Sequence, residues 1–399
     1  MGTYTTFLGG NGREIRSWLP LDEMEPQAMS QLMAAAGHPA LGPHIAVMPD
    51  CHLGVGVTIG CVLPTELAVI PNAVGVDIGC GMRHAQTTMP FDREAMNADF
   101  WQAWATKVRR AVPMGFNAHK YPHTLGHLKL EPLRARELQE LVDTKGAYQI
   151  GTLGGGNHFI EAQVNDRGFI GFMLHSGSRH IGLRIANHYN QQAEQFVTQT
   201  KTRVPRDLAH LSLETVEGQN YLHDMQWAID YARLNRERMM TAVLSAFADV
   251  LQERGITSVL SQSTIHDTPH NYAQLDGDMV LHRKGATSAR FSEIGLIPGS
   301  MGSKSYKVIG KGNTDSFESC SHGAGRTMSR GEAKRSITIN EFQASLAGTY
   351  SQAGLEYVDE APGAYKDIDR VIALQEDLVY VADTYTPIMT VKGQTRAAE

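Results

Sequence analysis

Cysteine is scarce in this chain of 399 residues, which has four: Cys51, Cys61, Cys80 and Cys320. Their number and irregular spacing exclude a disulfide framework and a zinc ribbon, and predict a reducing compartment. Long hydrophobic runs are also missing. No stretch of about 18 apolar residues occurs, and the opening MGTYTTFLGG has no basic region followed by an apolar one, so the protein reads as cytoplasmic with no membrane partner. Gly2 with Thr6 fits the short myristoylation pattern, a match common by chance. Nor is there a large excess of charge. The net charge of −6 excludes a protein that coats nucleic acid through general electrostatics, so such a partner has to meet a local basic surface. Between Arg283 and Arg335, ten Lys or Arg stand against four acids, interleaved with glycine and serine. Internal repeats, low-complexity segments and linker-like stretches are absent.

What is present is a 42% hydrophobic chain with distinct periodicities. HIAVMPD, GVTIGCVL, AYQIGTL, GFIGFML and DMVLHR read as buried strands bounded by glycine or proline. Apolar residues three and four apart predict helices in DREAMNADFWQAWATKVRRAV, IANHYNQQAEQFVTQT, YLHDMQWAIDYARLNRERMMTAVLSAFADVLQERG and DIDRVIALQEDLVYVAD. Strands come in adjacent groups without regular alternation with helices, which predicts α+β, not a doubly wound sheet. Length alone suggests two or three domains. The residues with chemical potential are scattered from Asp50 to Lys392, however, and this favours one mixed domain over 1–399 around a central cleft. The polar segment 112–135 is expected to be a lid or insertion.

Of 17 histidines, those inside amphipathic helices, such as His188 and His223, need no function. The informative ones stand at strand ends beside glycine or serine, in GGGNHFIEA (His158), LHSGSRHIG (His175, His180), TPHNYA (His270) and SCSHGAGR (His322). GTLGGGNH is glycine-rich but lacks the Lys-Ser or Lys-Thr of a P-loop. In GVDIGCGMRHA, Asp77 and Cys80 lie three apart among glycines that let the backbone turn tightly. One thiol, one carboxylate and three imidazoles supply a mixed ligand set, and a thiolate has the lone pairs to bridge two cations.

The strings MPDCHLGVG, AVGVDIGCGM, GTLGGGNHFIEA, MLHSGSRHIG, PHNYA, RKGATSAR, IPGSMGSKS, SCSHGAGRTMSR and APGAYKDID cover nearly the whole chain in this order. Together they closely resemble the RtcB family of RNA-splicing ligases. The resemblance implies a GTP- and manganese-dependent enzyme that joins RNA ending in a 2′,3′-cyclic phosphate or 3′-phosphate to RNA beginning with a 5′-hydroxyl. It implies that Cys80 bridges two Mn²⁺ ions, one also held by His175 and His270, the other by Asp77 and His158. His322 is then the nucleophile that accepts GMP from GTP, and Asp50 orients it. By the same resemblance, Arg179, Arg326 and Asn157 neutralise phosphate oxygens. Phe159, Glu161, Ser300, Ser305, Tyr365 and Lys392 hold the nucleotide, with the Glu161 carboxylate facing guanine. An accessory activator protein is a further implied partner, and tRNA splicing or RNA repair the implied setting. A dinuclear phosphoester hydrolase would use the same metal ligands but would need neither GTP nor His322.

Three positions depart from the family pattern. His180 stands where glycine is usual and is expected to fill space, and Cys51 replaces a usual valine as a small buried hydrophobe. IHDTPHNYA holds two histidines, of which His270 is assigned as the ligand and His266 is the alternative.

Overall fold

A computed structural model of the chain describes residues 4–125, 131–256, 264–351 and 353–393. Two large sheets meet where the chain crosses from one to the other at His270. The first sheet has six strands in the order Thr5–Leu8, Glu14–Ser17, His44–His52, Ile59–Glu66, Met279–Lys284 and Asn271–Asp276. The second has seven, in the order Ile265–Pro269, Gly81–Pro90, Phe169–Ser176, Phe159–Asn165, Val379–Lys392, Ser305–Gly310 and Ile294–Ile297. All neighbours in the second sheet run antiparallel, and the first has a single parallel pair, Glu14–Ser17 with His44–His52. Mixed helices and grouped antiparallel strands are the α+β class expected from the sequence.

The seven-stranded sheet packs on both faces, and its strand Phe169–Ser176 is accordingly apolar from Ile170 to Leu174. Ile170, Phe172 and Leu174 turn to one side, where the helix Ala98–Ala111 and the 38-residue helix Val216–Glu253 pack on them through Trp101, Trp104 and Phe247. Each such ring buried contributes on the order of 1.5–3 kcal/mol. Met173, between them in sequence, faces the other side against Met82, Phe159, Leu296 and Tyr385. Among the described residues, no helix is long and apolar enough to cross a membrane. All four cysteines are buried and free, and Cys51 packs in the apolar cluster under the six-stranded sheet.

Two segments differ from their periodicity. AYQIGTL is not a strand: Val142–Gly146 forms a π-helical turn and Ala147–Gln149 a short helix, after which Gly151 takes φ +79° and ends the run. DIDRVIALQEDLVYVAD is helical only over Ile368–Ala373, and Val379 begins a 14-residue strand. Here the vacancy between two strands, each offering a full hydrogen-bonding edge, outweighs helical spacing. Of the segment 112–135, residues 126–130 lie outside the described residues. The part before them is tied down by backbone bonds from Gly115 N–H to the Gly154 carbonyl, His119 N–H to Tyr148 and His123 N–H to Ala147.

Close approach explains one glycine of the Asp77–Cys80 turn. Gly79 has φ +70°, and a Cβ there would lie 2.8 Å from the Cα of Ile229 on the long helix. Gly79→Ala is expected to lower unfolding free energy by about 2 kcal/mol or more through the left-handed backbone and the clash, measurable by urea denaturation.

Candidate functional site

Strand register gathers the candidate ligands at one end of the seven-stranded sheet. Met82 lies opposite His175, His175 opposite Phe159, and Gly81 opposite Pro269. Cys80, His158 and His270 each adjoin the end of one of these four neighbouring strands, and His175 lies within the fourth. The side chains converge accordingly. Cys80 Sγ is 3.1 Å from His175 Nε2 and 3.5 Å from His158 Nε2; His158 Nε2 is 3.0 Å from Asp77 Oδ2, and His175 Nε2 is 3.2 Å from His270 Nε2. Thus Asp77 and His158 flank the thiol on one side, His175 and His270 on the other. His266 lies opposite His84 in the strand register, four residues before His270.

The tautomers suit cation binding. His158 Nδ1–H donates to the Leu153 carbonyl at 2.9 Å and His175 Nδ1–H to the Asn157 carbonyl at 3.2 Å. Since a carbonyl only accepts, each Nδ1 carries the proton and each Nε2 aims a lone pair at the cluster. The His158 lone pair faces a carboxylate oxygen, an arrangement that only a proton or a metal ion between them makes favourable. Burial acts to raise the Asp77 carboxyl, and the His158 hydrogen bond and charge more than reverse it, to about 2. Burial and then the neighbouring Asp77 push the Cys80 thiol well up, so it keeps its proton until positive charge arrives. The donor set therefore fits a metal centre. Cys80, His158 and His175 alone place three ligand atoms within 4.8 Å of one another.

Residues that motif reading passed over hold this cluster. Arg236, fully buried on the long helix, donates to the Gly79 carbonyl at 2.7 Å and the Ser176 carbonyl at 3.0 Å, next to Cys80 and His175. Its other nitrogens pair with both carboxylate oxygens of Asp267, at 3.0 and 2.6 Å. Its neighbour Asn235 accepts from the Gly151 and Thr152 N–H groups and donates to the Thr152 and Gly177 carbonyls and to Ser176 Oγ. A buried polar pair inside an otherwise apolar helical stripe is the signal that could have found them.

His322 follows the short strand Ser319–Ser321, and its ring centroid lies 4.7 Å from that of His270. Asp50 Oδ2 accepts from His322 Nδ1 at 2.6 Å and from the backbone N–H groups of His322 and Gly323. Burial opposes the Asp50 charge, but the His322 imidazole outweighs it and the carboxyl falls below its ordinary value. His322 thus has its Nδ1 proton fixed and the lone pair of Nε2 left free. Lys366 Nζ braces the strand beneath by donating to the Pro49 and Cys51 carbonyls on either side of Asp50.

His322 opens onto a cavity of about 370 Å³, also lined by Asn157, Phe159, Glu161, Ser300, Arg326, Tyr365 and Lys392. Glu161 Oε1 accepts from Gln163 and Oε2 from Thr390, and burial pushes its carboxyl up to about 7. Lys392 Nζ donates to Glu360 at 2.9 Å, as does the Tyr365 hydroxyl at 2.8 Å, and Arg330 pairs with the same carboxylate. Glu360 was absent from the motif reading. Ser305 is buried behind Glu161 and reaches it through Gln163, at 3.2 Å from its amide. Arg179 is set apart from this cavity: its Nε donates to Thr152 Oγ1, and another guanidinium nitrogen to the Gly115 carbonyl. The basic run Arg283–Arg335 is largely neutralised within the chain. Arg283 and Lys284 are buried, while Arg290, Lys304, Lys307, Arg330 and Lys334 pair with acids.

The protein-family model described as tRNA-splicing ligase RtcB matches residues 31–143 and 122–393. The chain is 38% identical to the RNA-splicing ligase RtcB of Escherichia coli K12 over 403 residues, covering 95% of the chain and 97% of that relative. It is 31% identical to the RNA-splicing ligase RtcB of Mycobacterium tuberculosis, over 91% of the chain and all of the relative. With the tRNA-splicing ligase RtcB of Aeropyrum pernix it shares 31% identity over 82% of each chain.

Because Arg236 is buried against Asp267 and two carbonyls, Arg236→Met is expected to cost about 3–5 kcal/mol of stability. Denaturant unfolding checks this, and Asp267→Asn combined with Arg236→Met should recover part of the loss.

Proposed function

The chain belongs to the RtcB family of tRNA-splicing ligases, and from that premise we propose that it seals RNA 3′-phosphate or 2′,3′-cyclic phosphate ends to 5′-hydroxyl ends with GTP. The observation that carries the reading is the Asp50–His322 pair opening onto a cavity beside a buried thiol–imidazole–carboxylate cluster.

In the first step His322 Nε2 attacks the α-phosphorus of GTP. A P–N bond forms, the bond to pyrophosphate breaks, and the imidazolium charge that develops is met by the Asp50 carboxylate. An oxygen of the RNA 3′-phosphate then displaces His322 and takes the GMP. Finally the 5′-hydroxyl attacks that RNA phosphate, and GMP leaves. Arg326 lines the cavity beside His322 and is placed to neutralise phosphate charge, as phosphoryl transfer requires. Phe159 offers a face for stacking on guanine, and the Glu161 carboxylate accepts from its N1 and N2 hydrogens, which adenine does not present. Cys80, His158, Asp77, His175 and His270 would hold two Mn²⁺ ions, which when bound supply Lewis-acid stabilisation of phosphate charge. Nitrogen and sulfur ligands bind Zn²⁺ more tightly than Mn²⁺, so the choice of ion rests on supply as well as on the site.

Incubation with labelled GTP and Mn²⁺ should leave an acid-labile label on the chain. Loss of the label in His322→Ala supports the reading, whereas phosphoester hydrolysis that survives this change without any label would replace it with a metal hydrolase. Asp50→Asn should slow labelling by about 10²-fold, the usual contribution of a positioned acid–base partner.

Glu161 gives a pH test. Its folded value, about 7 against an ordinary 4.5, means that the neutral form dominates below neutrality in the free protein. Guanine binds the ionised form, so GTP affinity should climb from pH 6 to 8 and then level off. Glu161→Gln should bind more weakly and without that slope, as read by calorimetry. For stability the sign is opposite: the Glu161 contribution is fully present below about pH 4.5 and is lost as pH rises through 7.

A further inference from the structure

Glu161 stands in a buried polar row that the metal-ligand cluster does not use. On one face of the seven-stranded sheet, the antiparallel register sets Glu161 and His84 on either side of Met173, and Gln163 and Gln86 on either side of Gly171. His84, Glu161 and Gln163 are all buried. Gln163 Nε2 lies among acceptors: Glu161 Oε1 at 2.7 Å, Ser305 Oγ at 3.2 Å and Met173 Sδ at 3.8 Å. Its carbonyl oxygen has no hydrogen-bond partner among the described residues, nor has either ring nitrogen of His84 or the hydroxyl of Tyr385.

These four unpaired atoms belong to one place. The His84 and Tyr385 ring centroids are 4.4 Å apart, and Tyr385 is opposite Ser305 in the register. A Cβ on Gly171 would lie 2.7 Å from His84 Nε2. Gly171 faces Gln163 directly, so its missing side chain is what lets the His84 ring lean over the sheet toward the amide. Buried polar groups without partners destabilise a fold, and several together point to a role other than packing. For packing alone apolar side chains serve better, as Met82 and Leu296 do in the same cluster.

A side-chain amide has a donor end and an acceptor end, and the end that meets Glu161 decides what this carboxyl offers a base. With the NH₂ turned to it, the carboxylate is stabilised in its ionised form and keeps its other lone pairs for the N1 and N2 hydrogens of guanine. A reversed amide would set oxygen against oxygen, which suits a carboxyl that holds a proton. That carboxyl is a donor, and the N1 of adenine accepts. The acceptors around Nε2 oppose reversal from one end of the amide. A donor to Oε1 opposes it from the other, and the His84 N–H is placed to supply one, directly or through one bridging water.

We propose that Gln163, oriented by His84, is a positioning residue for base specificity: it keeps Glu161 an acceptor, so that the site takes a guanine nucleotide and rejects an adenine one. The inference rests on the ligase reading above. It goes further in placing the choice of base in side chains that do not touch the base.

Calorimetric titration of the full chain, with Mn²⁺ and the α,β-methylene analogues of GTP and ATP, reads the effect without turnover because their α–β bridge does not break. In Gln163→Met, affinity for the guanosine analogue should fall about tenfold, the scale of one hydrogen bond to a charged group. The adenosine analogue should change less than about twofold. His84→Phe keeps a ring against Tyr385 and removes the N–H, and should cost about fivefold, again for the guanosine analogue alone. Since His84 acts through Gln163, the double variant should bind no more weakly than Gln163→Met. Thermal melting checks the fold. If His84→Phe does not fold, Gly171→Ala displaces the same ring from the facing strand and should show the same selective loss. Equal losses for both analogues, no loss for either, or losses that multiply in the double variant overturn the proposal. Failure of the ligase reading shows separately, as a wild-type chain that takes no label from GTP.

Discussion

The site depends on lone pairs crowded together in a buried place, and on the scaffold that keeps them there. A carboxylate oxygen, an imidazole nitrogen, a sulfur and two further imidazole nitrogens follow one another, each within hydrogen-bond distance of the next, an arrangement that a cation would stabilise and that the backbone holds in place. Arg236 ties that backbone together. Its guanidinium joins the carbonyls next to Cys80 and His175 and is neutralised by Asp267, three residues before His270. One side chain on one helix thus sets three of the ligand-bearing segments relative to one another. Asn235 does the same for the loop whose Leu153 carbonyl fixes the His158 tautomer.

The two sheets divide the labour. The seven-stranded sheet carries the cluster at its strand ends, while Asp50 belongs to the six-stranded sheet and positions His322 from beneath. His270 lies at the crossing between them and has a ring contact on each side, with His175 and with His322. Proximity of His322 and the cluster is therefore a property of how the sheets join, and needs no mobile element to create it.

Much of this was legible in the residues. Glycine-flanked histidines at strand ends marked four of the converging positions, because an imidazole beside a backbone bend is rarely there for packing. The Asp77–Cys80 pair was legible for the same reason. What stayed hidden depended on tertiary partners. Arg236 and Asn235 sit in a strongly helical stretch and look like solvated surface until the apolar positions around them are known to be buried. The charge count between Arg283 and Arg335 misled in the opposite direction, since acids distant in sequence, Asp359, Asp369 and Asp383, pair with Lys304, Lys307, Arg330 and Lys334 of that run. VYVAD was read as helix because its place between two open strand edges is visible only in the assembled sheet.

That placement bears on how the chain is made. The strand Val379–Lys392 lies between Phe159–Asn165 and Ser305–Gly310, so both neighbours emerge from the ribosome well before it. Until it arrives the nascent sheet is split, with two unsatisfied edges open to pairing with other chains. Molecules interrupted in translation between His322 and that strand would carry the whole Asp77–Cys80–His158–His175–His270 cluster and His322, yet remain sticky intermediates suited to chaperones or proteases, not partially active enzymes.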